Sequence, residues 1–187
     1  EEIKERRNIM VEGAFVFEPT PGFYENIAMF DFTSMHTSII ITHNLSKSTL
    51  LEKKEKNANE SPEIMEKNRK VKYYFTKEPG FFSELMKNIF ELRKKAKEDY
   101  KKNPNVLTKA RSNAFKVLSA SAHGYIAFFG ARYYSHEASA SILAFVRKYN
   151  KETIQKVEQA GYKVIFGDTD SVAFLIEAKT DSKTSSG

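Results

Sequence analysis

The chain has 187 residues, 41% of them hydrophobic and 29% charged, with a net charge of +6. That is enough apolar material for a real core in one or two small domains, and it excludes an intrinsically disordered chain. The lack of cysteine excludes disulfides and thiolate zinc sites, no apolar run reaches the roughly 18 residues a membrane span needs, and the basic balance suits a nucleic-acid partner.

In chain order, the start Glu1-Glu2-Ile3-Lys4 reads like the middle of a longer protein. Residues 11–17 read as a strand ending at a Pro/Gly turn cluster over 18–22. A second apolar run, Ile27-Ala28-Met29-Phe30, ends in Asp31. Residues 37–43 form a strand or a short helix, because so short an apolar run has no decisive period. Residues 52–72, rich in Lys, Glu and Asn, read as a solvated, mobile segment.

Pro79-Gly80 then opens a helical pattern, with Phe81, Leu85, Ile89 and Leu92 at helical spacing, running to about Lys102. It stops at Asn103-Pro104-Asn105. A second helix follows from about Leu107 to past Ala122, so the pair reads as an antiparallel αα-hairpin. A third helix spans about Ser135 to Ala160 and ends at Gly161, a good C′ residue. Two apolar runs, 162–165 and 172–176, then flank Phe166-Gly167-Asp168-Thr169-Asp170-Ser171. This reads as a β-hairpin whose tight turn projects two carboxylates. The polar tail from Thr180 is expected to fray.

Asp-Thr-Asp alone is an ordinary hairpin turn. Negative charge concentrated between strands nevertheless calls for a metal or a cationic group, and Asp31 ends another strand. Two strand-borne acidic sites suggest a divalent-metal site for phosphoryl chemistry. The αα-hairpin offers the complementary cations. Arg93 and Lys97 share a face of its first helix, and Arg111 and Lys116 lie on the second, where Lys116, Ala120 and His123 share a face. Most other lysines there, Lys87, Lys94, Lys95, Lys101 and Lys102, read as a solvated helix face. Carboxylates on a sheet under helical Arg and Lys are what nucleotidyl transfer requires.

Three segments carry a family resemblance. Asp31-Phe32-Thr33-Ser34-Met35-His36-Thr37-Ser38-Ile39-Ile40 resembles motif A of the family B DNA polymerases, especially archaeal replicative ones. Residues 116–125, from Lys116 through Ala120 and His123 to Gly124-Tyr125, resemble motif B, and Gly167-Asp168-Thr169-Asp170-Ser171 resembles motif C. Glu12-Gly13-Ala14 lies where the family has a Tyr-x-Gly-Gly segment. The order of the motifs, with Arg93 and Lys97 between A and B, makes the resemblance specific. It covers nearly the whole chain, and 52–72 matches poorly.

The resemblance implies an α/β (α+β) fold, an antiparallel-sheet palm backed by helices with an inserted two-helix fingers module. It divides the chain into 1–78 and 129–187 as palm and 79–128 as fingers. It implies catalytic Asp31, Asp168 and Asp170, with Asp31 and Asp170 as metal ligands. Arg93, Lys97 and Lys116 would meet the triphosphate, together with the backbone of Phe32, Thr33, Ser34 and Met35; Arg111 is a weaker candidate. His36 and Ala120 complete the nucleotide site, and Gly13, His123, Gly124 and Tyr125 line the base-pair and template pocket. The implied cofactors are two Mg²⁺ ions, with Mn²⁺ as the alternative. The implied partners are primer-template DNA, a dNTP, and a thumb-containing polypeptide and exonuclease domain outside this chain, with no membrane. The implied location is cytoplasmic and nucleoid-associated.

The departures fall in the pocket. His36 stands for the motif A Tyr that blocks a ribose 2′-OH, Thr37 for Pro, Ala120 for Asn and His123 for Tyr. In the glycine segment Val11 and Ala14 replace Tyr and Gly. The catalytic charges survive while sugar and base contacts change. The expected function is therefore two-metal transfer of dNMP to a primer 3′-OH. A non-catalytic homologue that binds DNA or a subunit is the alternative. A zinc reading of the histidines is set aside, because no His pair has ligand spacing.

Overall fold

The computed structural model describes residues 2–7, 11, 13, 15–19 and 21–176. Its elements begin with α1 (Glu2–Arg7), β1 (Val16–Phe17), β2 (Ile27–Asp31) and α2 (Met35–His43). Short strands follow: β3 (Leu50–Leu51), β4 (Asn59–Glu60), β5 (Ile64–Glu66), β6 (Arg69–Val71) and β7 (Tyr74–Phe75). The chain continues through α3 (Phe81–Lys102), α4 (Val106–Ala127), α5 (His136–Gln159), β8 (Val164–Asp168) and β9 (Ser171–Leu175). The mixed helical and antiparallel-sheet fold expected from the sequence is what these elements make. None of the helices among the described residues is long and apolar enough to cross a membrane.

The chain divides into two compact units. The first holds residues 34–145 with the described residues up to Gly13. Here the ambiguous run at 37–43 is a helix, α2. It is bounded by two residues in the left-handed region, Ser34 (φ 55°) and Asn44 (φ 56°). Asn44 ties that end to the start of α3. Its Nδ2 donates to the carbonyls of Thr76 (2.8 Å) and Glu78 (2.6 Å), and its Oδ1 accepts from the Gly80 N–H (3.0 Å).

The helices α3 and α4 pack along each other and both touch α2. The expected turn between them is a capped start: the Asn105 side chain accepts from the Thr108 N–H while Thr108 Oγ1 accepts from the Asn105 N–H. The helical period of α3 is as expected, but its buried face is Phe82, Met86 and Ala96, whereas Phe81, Leu85 and Leu92 are exposed.

The segment expected to be solvated, 52–72, is exposed over 52–57 and then carries β4, which pairs with β7, and the β5–β6 hairpin. The hairpin turns through Lys67 and Asn68, both at positive φ, as a tight primed turn requires. Ile64 is buried with Ala140 and Ala144 of α5, and Glu60 bridges Lys54 and Lys72 at 2.7 and 2.5 Å. Those two ammonium groups hold the Glu60 carboxyl down at about 2.

The second unit holds the described residues of 14–33 and 146–187. Four antiparallel strands run in the order β1-β8-β9-β2. One face, with Val164, Val172 and Phe174, packs on Ile154 and Val157 of α5. Gly167 permits this closeness, since a Cβ there would lie 3.3 Å from both Ile154 Cδ1 and Phe17 Cβ. Gly161 ends the turn after α5 at φ 87°, as expected. The strand expected over 11–17 shortens to Val16–Phe17. Glu12, Ala14 and the tail from Thr180 lie outside the described residues.

Candidate active site

In the second unit, strand register gathers the carboxylates. Asp31 of β2 pairs with Ser171 of β9, and Ser171 pairs with Asp168 of β8. Directly paired residues share a face, and side chains alternate along a strand. Val172 and Phe174 face α5, so the row Asp168–Ser171–Asp31 lies on the opposite face, at the end of the sheet. Both aspartates are exposed. Asp170 sits in the turn and its carbonyl accepts from the Phe32 N–H at 2.8 Å. That bond extends the β2–β9 ladder one step and commits the Phe32 amide to the sheet. Thr33 follows, exposed.

The turn is held from several sides. Thr169 adopts φ 47° and donates its hydroxyl to Asp168 Oδ1 at 2.8 Å. Its N–H donates to the Phe15 carbonyl at 3.2 Å. Asn150, fully buried on α5, donates Nδ2 to the Thr169 carbonyl at 3.1 Å. Sequence reasoning missed Asn150. The available signal was a lone polar residue on the apolar stripe Val146, Asn150, Ile154. Among the described residues Asp31 and Asp170 have no ion-pair partner, and no group of three or more His, Cys, Asp or Glu side chains forms a ready cage for an ion.

The other sequence-derived residues lie in the first unit. Arg93 donates to the Ser34 hydroxyl, fixing the left-handed residue that starts α2. Met35 is buried behind it. His36 and His123 lie ring against ring, centroids 5.0 Å apart, and His123 Nε2 is 3.3 Å from Ser139 Oγ. Burial, aided by the neighbouring His36, pushes the His123 imidazole down to about 4, so it is neutral near pH 7. Thr37, at the family's proline position, instead hydrogen-bonds the Ser119 carbonyl (2.9 Å) and meets its hydroxyl (3.0 Å). This joins α2 to α4.

Lys97, Lys116, Arg111 and Ala120 are exposed on their helices, and among the described residues Lys97 and Lys116 make no ion pair. Tyr125 stacks near-parallel on Phe82, centroids 6.5 Å apart. Gly13 and Gly124 each have open space where a Cβ would stand. The structure thus groups Asp31, Asp168 and Asp170 in one unit, and Ser34 with Arg93 and His36 with His123 in the other.

Comparison with known proteins agrees with these motifs. The model for DNA polymerase family B matches residues 1–186. A DNA polymerase of Thermococcus gorgonarius is 36% identical over 88% of this chain, and DNA polymerase 2 of Aeropyrum pernix is 32% identical over 90%. The chain spans about a fifth of the length of these relatives, 21% of each. The family B DNA polymerase structure from Pyrobaculum calidifontis superposes on 91% of this chain with a TM-score of 0.69 and 33% identity, and the match covers 23% of that chain. A match of this extent, over motifs whose carboxylates share one sheet end, makes the chain a member of DNA polymerase family B.

Proposed function

We propose that the chain is the catalytic palm-and-fingers part of a DNA-directed DNA polymerase. In this reading a primer 3′-OH attacks the α-phosphate of a dNTP and pyrophosphate leaves. The observation that carries it is the row Asp168–Ser171–Asp31 with Asp170 in the adjoining turn. Accessible carboxylates without cationic partners suit a hard divalent ion. Mg²⁺ keeps several waters and needs only one or two carboxylates besides substrate phosphates, so an open oxygen donor set fits it better than a closed cage.

Asp31 and Asp170 hold the ions, and Asp168 stands nearer the primer end. When bound, Mg²⁺ or Mn²⁺ acidifies the attacking hydroxyl and offsets charge on the leaving pyrophosphate. Arg93, Lys97 and Lys116 bind the triphosphate, with the amides of residues 33–35, since the Phe32 amide is committed to Asp170. His36 and Ala120 contact the sugar, and His123, Gly124, Tyr125 and Gly13 line the base-pair pocket. Palm residues are 1–78 and 129–187 and fingers residues 79–128. In this reading the assembled polymerase also has a thumb and an exonuclease domain, which the chain's span of about a fifth of its relatives' length leaves room for. A second reading, a non-catalytic homologue that binds DNA or a subunit, is favoured by His36 and His123 occupying pocket positions as a ring pair.

Primer extension in the assembled polymerase separates the two. Asp31→Ala and Asp170→Ala are expected to lower incorporation by roughly a thousandfold or more, the scale of losing several kcal/mol of barrier stabilisation. Asp168→Ala is milder. Substantial synthesis by Asp170→Ala would sink the catalytic assignment.

A further inference from the structure

We infer that Asn150 is a positioning residue whose buried carboxamide clamps the 169–171 turn and so aims the carboxylates of Asp168 and Asp170. Asn150 is fully buried, on the same stripe of α5 as Val146 and Ile154. Its Nδ2 lies 3.1 Å from the Thr169 carbonyl and 3.5 Å from that of Ser171. Both partners are acceptors, so the amide can face them only with its NH₂ end. Its Oδ1 is then left buried with no donor among the described residues. A leucine would fit an apolar stripe without that desolvation cost. The cost is accounted for by what the NH₂ end does.

The turn needs holding. Thr169 is β-branched and sits at φ 47°, a conformation such residues rarely adopt and keep only when their surroundings over-determine it. Asn150 supplies the tie from α5, and the Phe15 carbonyl supplies the tie from the other side. With the backbone of Thr169 fixed, its hydroxyl engages one carboxylate oxygen, Oδ1, of the exposed Asp168. The Asp170 carbonyl is held by the Phe32 N–H, so residues on both sides of the turn depend on its shape. The link from this clamp to ion binding rests on the proposed function; the clamp itself does not.

The test uses the full chain with Asn150→Leu, wild type and Asp170→Ala as the reference for ion loss. Three quantities are read: amide hydrogen exchange over residues 166–171, Mn²⁺ affinity by electron paramagnetic resonance, and thermal midpoint. In Asn150→Leu, exchange in the turn is expected to rise about tenfold, the scale of one lost hydrogen bond. Mn²⁺ affinity should fall about threefold to tenfold, while the midpoint holds or rises because the orphan acceptor is gone. In the assembled polymerase kcat should fall with the KM for dNTP unchanged. Asn150→Ser, too short to reach the turn, should give the same exchange signature if leucine disturbs packing. Wild-type exchange in both variants overturns the clamp. Wild-type Mn²⁺ affinity in Asn150→Leu, where Asp170→Ala has lost it, overturns its role in aiming the carboxylates. Undiminished Mn²⁺ binding by Asp170→Ala refutes the proposed ion site instead, and the exchange result still judges the clamp.

Discussion

At the scale of single residues, His123 makes a signed claim. An unfolded chain takes up its imidazole proton near pH 6.5, the folded chain near 4. Between those values the unfolded state binds more protons, so stability rises with pH across the window and is lost as pH falls from about 6.5 toward 4. From pH 7 to 5 this amounts to roughly 2 kcal/mol. Urea melts at the two pH values should show His123→Gln losing less stability than wild type by about that amount; equal losses would mean the ring is not desolvated. Arg93 makes a different claim. Its bond to Ser34 couples a candidate phosphate ligand to the start of α2, so Arg93→Ala should damage dNTP use more than Lys116→Ala, whose ammonium is exposed on α4. Single-turnover titrations with dNTP measure both. Equal effects would mean that the Ser34 contact is incidental.

At the scale of elements, Asn44 and Gly80 join α2 to α3. Asn44→Ala removes the side-chain hydrogen bonds to Thr76, Glu78 and Gly80 at once and should cost about 2–4 kcal/mol in denaturant melts. Gly80→Ala sets a Cβ against Thr49 Cγ2 and should cost about 1–3 kcal/mol. The three long helices were legible in the sequence because Pro79-Gly80, Asn103-Pro104 and Gly161 punctuate strongly periodic stretches. The phase of α3 was not, since Phe81 and Phe82 fit the period equally and packing on α2 and α4 chooses between them. Strands β3 to β7 were illegible for another reason. Two- or three-residue strands show no alternation, and Glu60 with its two lysines reads as solvated charge until pairing sets them side by side. That Asp31, Asp168 and Asp170 lie at or beside one end of the sheet was legible because hairpin and motif coincide. Asn150 was not, because its polar place on an apolar stripe does not name its partners, which are backbone carbonyls.

At the scale of the whole molecule, the +6 charge bears on affinity more than on chemistry. Under the proposed function, DNA binding should weaken steeply with salt, since each phosphate neutralised releases counterions. Substituting one exposed lysine such as Lys116 should change the slope of log K against log salt by at most about one. A filter-binding series from low to physiological salt checks this. A larger change would show that one residue organises the DNA-binding face.

The Asp31–Ser171 pairing has a consequence for how this stretch of gene can vary in length. A strand shifted by one residue presents every side chain to the opposite side. One codon added or removed within 27–31 would therefore leave Asp31 on the α5 side or off the end of the sheet, even if every other residue were kept. The same change at 21–24, upstream of the Asn26 carbonyl that receives the Ile176 N–H, leaves the ladder in step and should be absorbed. Between Pro21 and Asp31, tolerance to insertion and deletion should change from permissive to inactivating within a few codons.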